Sequence, residues 1–135
     1  MSDKSEGAVR HIVCDRVTKP LPLYSHATVH NGVVYVSALQ GFIPGTFDFP
    51  SPAPADQARQ ALANLKVILE QAGSSLSHVL KITIFMTDMR DFPKINEVVN
   101  EVFPELPPAR SSIAVAEIPR EAKVAIETIA ALRDA

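Results

Sequence analysis

Asn31-Gly32 constrains this chain more than any other feature. It sits between two β-prone runs, Tyr24 to His30 and Val33 to Ala38. A two-residue hairpin loop needs positive φ at both turn positions, and Asn-Gly accepts that geometry at least cost. The spacing therefore predicts a strand over 24–30, a turn at 31–32 and a strand over 33–38. An antiparallel sheet is fixed from this point, and the rest of the chain must supply its partners and its cover.

The cover is readable from period. Ala58, Ala61, Leu62, Leu65, Ile68, Leu69 and Ala72 recur at helical spacing, with Asp56, Arg59, Lys66 and Glu70 off that stripe and Gly73 as the stop. A helix is predicted over 55–72. A second follows Asp91, read as its cap, with Pro93 in the first turn and Phe92, Ile95, Val98, Val99, Val102 and Phe103 as its apolar side. Between them Lys81 to Thr87 alternates, Ile82, Ile84 and Met86 pointing one way and Thr83 and Phe85 the other. His11 to Cys14 reads as an edge strand. Residues 110–116 and 122–131 read as two final strands joined by Glu117 to Glu121. The order β-β-β-α-β-α-β-β, with a hairpin at each end, predicts an α+β fold: one mixed sheet with two helices on one face. The other face has no cover within the chain, which points to further copies of itself. Residues 41–54 keep no period and form a long loop, whose Phe42, Phe47 and Phe49 need cover from the loop or from another subunit.

With 135 residues the chain suits a single domain over 1–135, with 1–9 small, polar and frayed. A net charge of −2 gives no field that draws nucleic acid. The one cysteine, Cys14, excludes an intrachain disulfide and a cysteine-based zinc cluster, and reads as a buried apolar residue. The four histidines show no metal-ligand spacing. No run is long enough for a membrane span, and the polar start lacks a secretory h-region, so the expected compartment is the cytoplasm.

Chemistry concentrates at Leu106-Pro107-Pro108-Ala109-Arg110-Ser111-Ser112. Two prolines stiffen the approach to a strand and place an arginine at its start, with two hydroxyls beside it. A guanidinium fork suits a carboxylate, so Arg110 is read as an anchor for a small carboxylate ligand.

These residues belong to a longer ordered set. Tyr24-Ser25-His26-Ala27, Val34-Tyr35-Val36-Ser37, Gln57, Asn64-Leu65, Asp91-Phe92, Ile95-Asn96, Pro108-Ala109-Arg110-Ser111, Ile118-Pro119-Arg120 and Ile126-Glu127 together span about residues 20–130. In this set the sequence resembles the RidA (YjgF) family of reactive-intermediate imine/enamine deaminases. The resemblance implies a chorismate-mutase-like fold and a homotrimer built round a barrel of sheets, with ligand clefts at the subunit interfaces. It implies hydrolysis of small 2-imino or 2-enamino acids to 2-ketoacids and ammonia, with no metal or organic cofactor. Carried over by position, Arg110 matches the carboxylate-gripping arginine, Tyr24 the tyrosine at the cleft and Ser37 the serine that follows the hairpin's apolar strand. Ser112 stands where many members have cysteine. Arg110, Ser111, Ser112, Tyr24 and Phe92 are then the substrate-binding set.

The last strand departs from the pattern. Deaminating members carry Ile-Glu-Ile-Glu, the first glutamate serving the hydrolytic water, and this chain reads Val124-Ala125-Ile126-Glu127. Ala125 is expected in the cleft, where it can move no proton. Glu127 lies about 6.6 Å further along the same face and is the carboxylate left to act with Arg110, Tyr24 and Ser37. Two functions follow: a deaminase of weakened or altered range, or a trimeric small-carboxylate-binding protein with regulatory or chaperone-like work. A ribonuclease activity, the third possibility, is disfavoured by the acidic balance and the lack of a basic-aromatic stripe.

Overall fold

The computed structural model describes residues 8–20 and 23–134. The expected fraying of 1–9 therefore falls, for residues 1–7, outside the described residues, as do Leu21 and Pro22 of the first proline cluster. The strands are β1 (Arg10–Ile12), β2 (Ala27–His30), β3 (Val33–Leu39), β4 (Val79–Met86), β5 (Ala109–Ala114) and β6 (Val124–Ala131), with α1 (Pro54–Ala72) and α2 (Phe92–Val102) between them. They form a six-stranded mixed sheet in the order β1-β2-β3-β6-β4-β5.

The Asn-Gly turn is present as read: Asn31 and Gly32 take φ of 49° and 79°, and β2 pairs antiparallel with β3. The first strand of that hairpin is shorter than 24–30: the His26 backbone still donates to the Ile12 carbonyl and accepts the Ser37 N–H, and Tyr24 and His26 line a cleft. α1 runs to Ala72 and stops on Gly73 at φ 94°. Asp91 does not cap α2. Its own backbone is already helical, and the cap one turn earlier is Asp88, which accepts the Arg90 backbone N–H at 2.9 Å. The Arg90 side chain hydrogen-bonds the same carboxylate and holds its pKa down to about 2.

One part of the architecture differs from the sequence reading. The last two strands are not a hairpin. β5 pairs parallel with β4, Ile82 opposite Arg110, and α2 is the crossover that parallel pairing requires. β6 then enters antiparallel between β3 and β4. As a central strand it is buried along most of its length.

Side chains alternate across the sheet. Val34, Val36, Ile82, Ile84, Met86, Val124 and Ile126 lie under the helices, where they meet Leu62, Leu65, Ile68 and Ile95. Each such fully buried side chain contributes about 1.5–3 kcal/mol. On the opposite, open face lie Tyr35 and Ile113, 48% and 43% exposed, with Thr83 and Phe85 half-buried between.

The loop 41–54 is pinned to α1 at Gly41. A Cβ there would stand 2.1 Å from the Gln57 carbonyl oxygen. Gly41→Ala is expected to cost about 1–3 kcal/mol, because backbone cannot yield as a side-chain tip can. Urea unfolding reads this as a lower midpoint, and an unchanged midpoint would mean that the loop is not held there.

Candidate functional site

The loop aromatics cover one another. Phe42 stacks on Phe49 with centroids 5.0 Å apart and meets Phe47 edge-on at 5.4 Å. This cluster closes one side of a cleft of about 120 Å³ that also has Tyr24, Ser37, Ala38 and Arg120 in its walls. Tyr24 and Ser37 are thus brought together as the sequence suggests. Ser37 Oγ donates to the Ser25 carbonyl at 2.7 Å, which ties the end of β3 to the segment carrying Tyr24.

His26 forms the floor and is structural. The Cys14 backbone N–H donates to its Nδ1 at 2.8 Å, so its Nε2, 2.8 Å from the Thr18 carbonyl, carries the proton and donates. Both ring nitrogens are spent in holding the chain on either side of the cleft.

Arg110 lies elsewhere. On β5 it faces the helices, and its guanidinium donates to the side-chain oxygens of Asn96 and, at 3.1 Å, of Asn100. Phe92, Asn96 and Asn100 are spaced by four and lie along one side of α2. No carboxylate pairs with Arg110 among the described residues. Ser112 shares its side of the sheet, while Ser111 points to the open face beside Thr83. β5 is the outer strand, so part of its backbone has no partner strand.

The chain by itself does not gather all these residues. β3, which carries Ser37, is three strand steps from β5, roughly 14 Å. Glu127 is exposed on the open face, opposite Thr83, on the other side of the sheet from Arg110. Ala125 shares the open face with Glu127 and lies outside the Tyr24 cleft of the single chain. It is 4% exposed, packed with Ile118 and Ala122 under Phe49, Phe85 and Val115. Sequence reasoning missed Asn100 as an anchor of Arg110 and the loop phenylalanines as a wall of the Tyr24 cleft. The spacing of Asn96 and Asn100 on one helix face was the available signal for the first.

The family model described as endoribonuclease L-PSP matches residues 16–132. A 2-iminobutanoate/2-iminopropanoate deaminase of Dermatophagoides farinae is 39% identical over 111 residues, 82% of this chain and 87% of that protein. Reactive Intermediate Deaminase A, chloroplastic, of Arabidopsis thaliana is 42% identical over 109 residues, 81% of this chain, and the match spans 58% of that longer protein. Among solved structures, E. coli TdcF with bound serine superposes with a TM-score of 0.85 at 34% identity, covering 90% of this chain and 98% of that one. With the six-stranded sheet, the two helices on one face and a match along nearly the whole sequence, the chain belongs to the RidA family, whose members include YjgF and the proteins described as endoribonuclease L-PSP.

Proposed function

We propose that this protein hydrolyses small reactive 2-imino and 2-enamino acids to 2-ketoacids and ammonia, as a homotrimer with each site shared between two subunits. The observation that carries the reading is the Arg110 guanidinium, steadied by two asparagine amides and paired with no acid. A fork so held presents its remaining donors to a planar carboxylate. The deaminases among the relatives give the reaction its direction. The uncovered sheet face, with Tyr35 and Ile113 exposed, gives the reason for assembly. Assembly in turn is what allows Tyr24 and Ser37 of one subunit to adjoin Arg110 of the next.

In this scheme Arg110 takes the substrate carboxylate, with Ser112 on the same side of the sheet, the Ser111 backbone between them and Phe92 as an apolar neighbour. Water, held by the Tyr24 and Ser37 hydroxyls, adds its oxygen to the imine carbon while the nitrogen takes up a proton. In the tetrahedral adduct the hydroxyl proton is passed to the amino nitrogen, the carbonyl forms as the C–N bond breaks, and ammonia leaves with the electron pair of that bond. Glu127 is the exposed carboxylate that the strand offers for these proton transfers.

A second reading, carboxylate binding without turnover, is favoured by one observation: the strand position that deaminating members give to glutamate is here a buried alanine under an apolar plug. Ammonia release from 2-iminobutanoate separates the two. Turnover that falls steeply in Glu127→Gln, with assembly intact, supports the deaminase. Binding of 2-ketobutyrate with no hydrolysis by the wild type supports the second reading.

Sedimentation at micromolar concentration is expected to give three times the 14.6 kDa chain mass. A stable monomer would remove the shared site and the scheme with it.

A further inference from the structure

The cleft beside Tyr24 and Ser37 holds more positive charge than a single carboxylate requires. Lys19 and Arg120 both line it, and no aspartate or glutamate does. Arg120 makes no ion pair among the described residues. Its guanidinium carbon instead lies 4.2 Å above the centre of the Phe47 ring. The side chain is therefore aimed by an aromatic face, which occupies one surface of the guanidinium plane and leaves the N–H donors at its edge available.

The backbone beneath it is strained. Arg120 and Glu121 are consecutive non-glycine residues at φ 64° and 58°. Left-handed conformations at such residues are strained and persist where surrounding structure enforces them, commonly at ligand sites. Here the strain follows Pro119, and Arg120, though exposed, borders the cleft and lies over Phe47. A cleft of about 120 Å³ has room for several waters or for a short chain in their place.

We infer that Arg120, with Lys19, is an anion subsite for the far end of the ligand, and that the preferred substrates are 2-imino dicarboxylates. The inference rests on the deaminase reading in one respect, that Arg110 and the Tyr24 cleft share one ligand. The carboxylate next to the imine goes to Arg110 of one subunit. The distal carboxylate, two or three carbons away, goes to Arg120 of the other. The reaction itself is unchanged: water adds, ammonia leaves, and a 2-keto dicarboxylate is the product.

The test compares three stable 2-ketoacids by calorimetry on the assembled protein. 2-Ketobutyrate reports the shared clamp, 2-ketoglutarate adds the distal charge, and 2-ketohexanoate fills the same length without it. Binding of 2-ketoglutarate is expected to be about tenfold or more tighter than that of 2-ketohexanoate, as suits an added charge-assisted contact. Arg120→Gln is expected to bring that ratio close to one. Arg120→Gly, which the left-handed backbone accepts without strain, is the second variant should glutamine fold poorly. A wild-type ratio near one, with 2-ketobutyrate bound, overturns the subsite and leaves the deaminase reading standing. A ratio that survives both variants overturns it equally. If no ketoacid binds the wild type, the shared clamp fails and the subsite fails with it.

Discussion

Replacing Arg110 by alanine is expected to weaken binding of 2-ketobutyrate by about 2–5 kcal/mol, the usual cost of truncating one partner of a hydrogen-bonded charge pair. That corresponds to a loss of roughly 30-fold to several thousand-fold in Kd. The fold should survive. Arg110 is half-buried, and its polar contacts are the amide oxygens of Asn96 and Asn100, both of which lie at the protein surface or near it. Water can replace a guanidinium there, so the stability change should stay near the 1 kcal/mol of an ordinary hydrogen bond. Calorimetry and a thermal melt on the same sample separate the two effects. Unchanged affinity with a normal melt would show that Arg110 is a structural tie between β5 and α2 and would remove the clamp.

Ala125→Glu is expected to destabilise the protein by roughly 2–5 kcal/mol, because a carboxylate would enter an apolar pocket with no partner in reach. The pocket is made by Ile118, Ala122, Phe49, Phe85 and Val115. Sequence pattern alone leads to the opposite expectation, a restored glutamate that raises 2-iminobutanoate hydrolysis about tenfold or more. The pH dependence distinguishes these. Burial raises the folded-state pKa of the new carboxyl above its unfolded value of about 4.3, so the unfolded state gives up its proton first. The destabilisation should therefore be small below about pH 4 and grow as pH rises above it. A variant as stable as the wild type at pH 7, and faster, would show that the plug opens readily and that only the missing glutamate limited the reaction.

Much of the fold was legible because its signals are local. Asn31-Gly32 named its own turn, since few residue pairs accept two positive φ values in succession. The stripe from Ala58 to Ala72 and the stop at Gly73 placed α1 within one residue. The alternation of Ile82, Ile84 and Met86 against Thr83 and Phe85 placed β4 and told its two faces apart. The segment proposed to hold the ligand also stood out by residue type: an arginine soon after two prolines, carrying a fork that suits a carboxylate.

What local pattern could not give was the partner of each strand. Five residues between 116 and 122 look like a hairpin connection, yet β5 pairs with β4 and β6 passes to the far side of β4. Period describes one strand, whereas pairing depends on which edge is free when the crossover helix α2 has docked. Side-chain orientation followed from that pairing, because a shift of one residue in register reverses every side chain. So the sequence by itself determined the turn, the helices, the alternating strands and the position of the arginine proposed as a carboxylate anchor. Only the tertiary structure decided that Arg110 and Glu127 lie on opposite sides of the sheet, that an apolar plug covers Ala125 and that Arg120 stands over Phe47 in the Tyr24 cleft. Each of these depends on contacts between residues far apart in the chain, which no local period encodes.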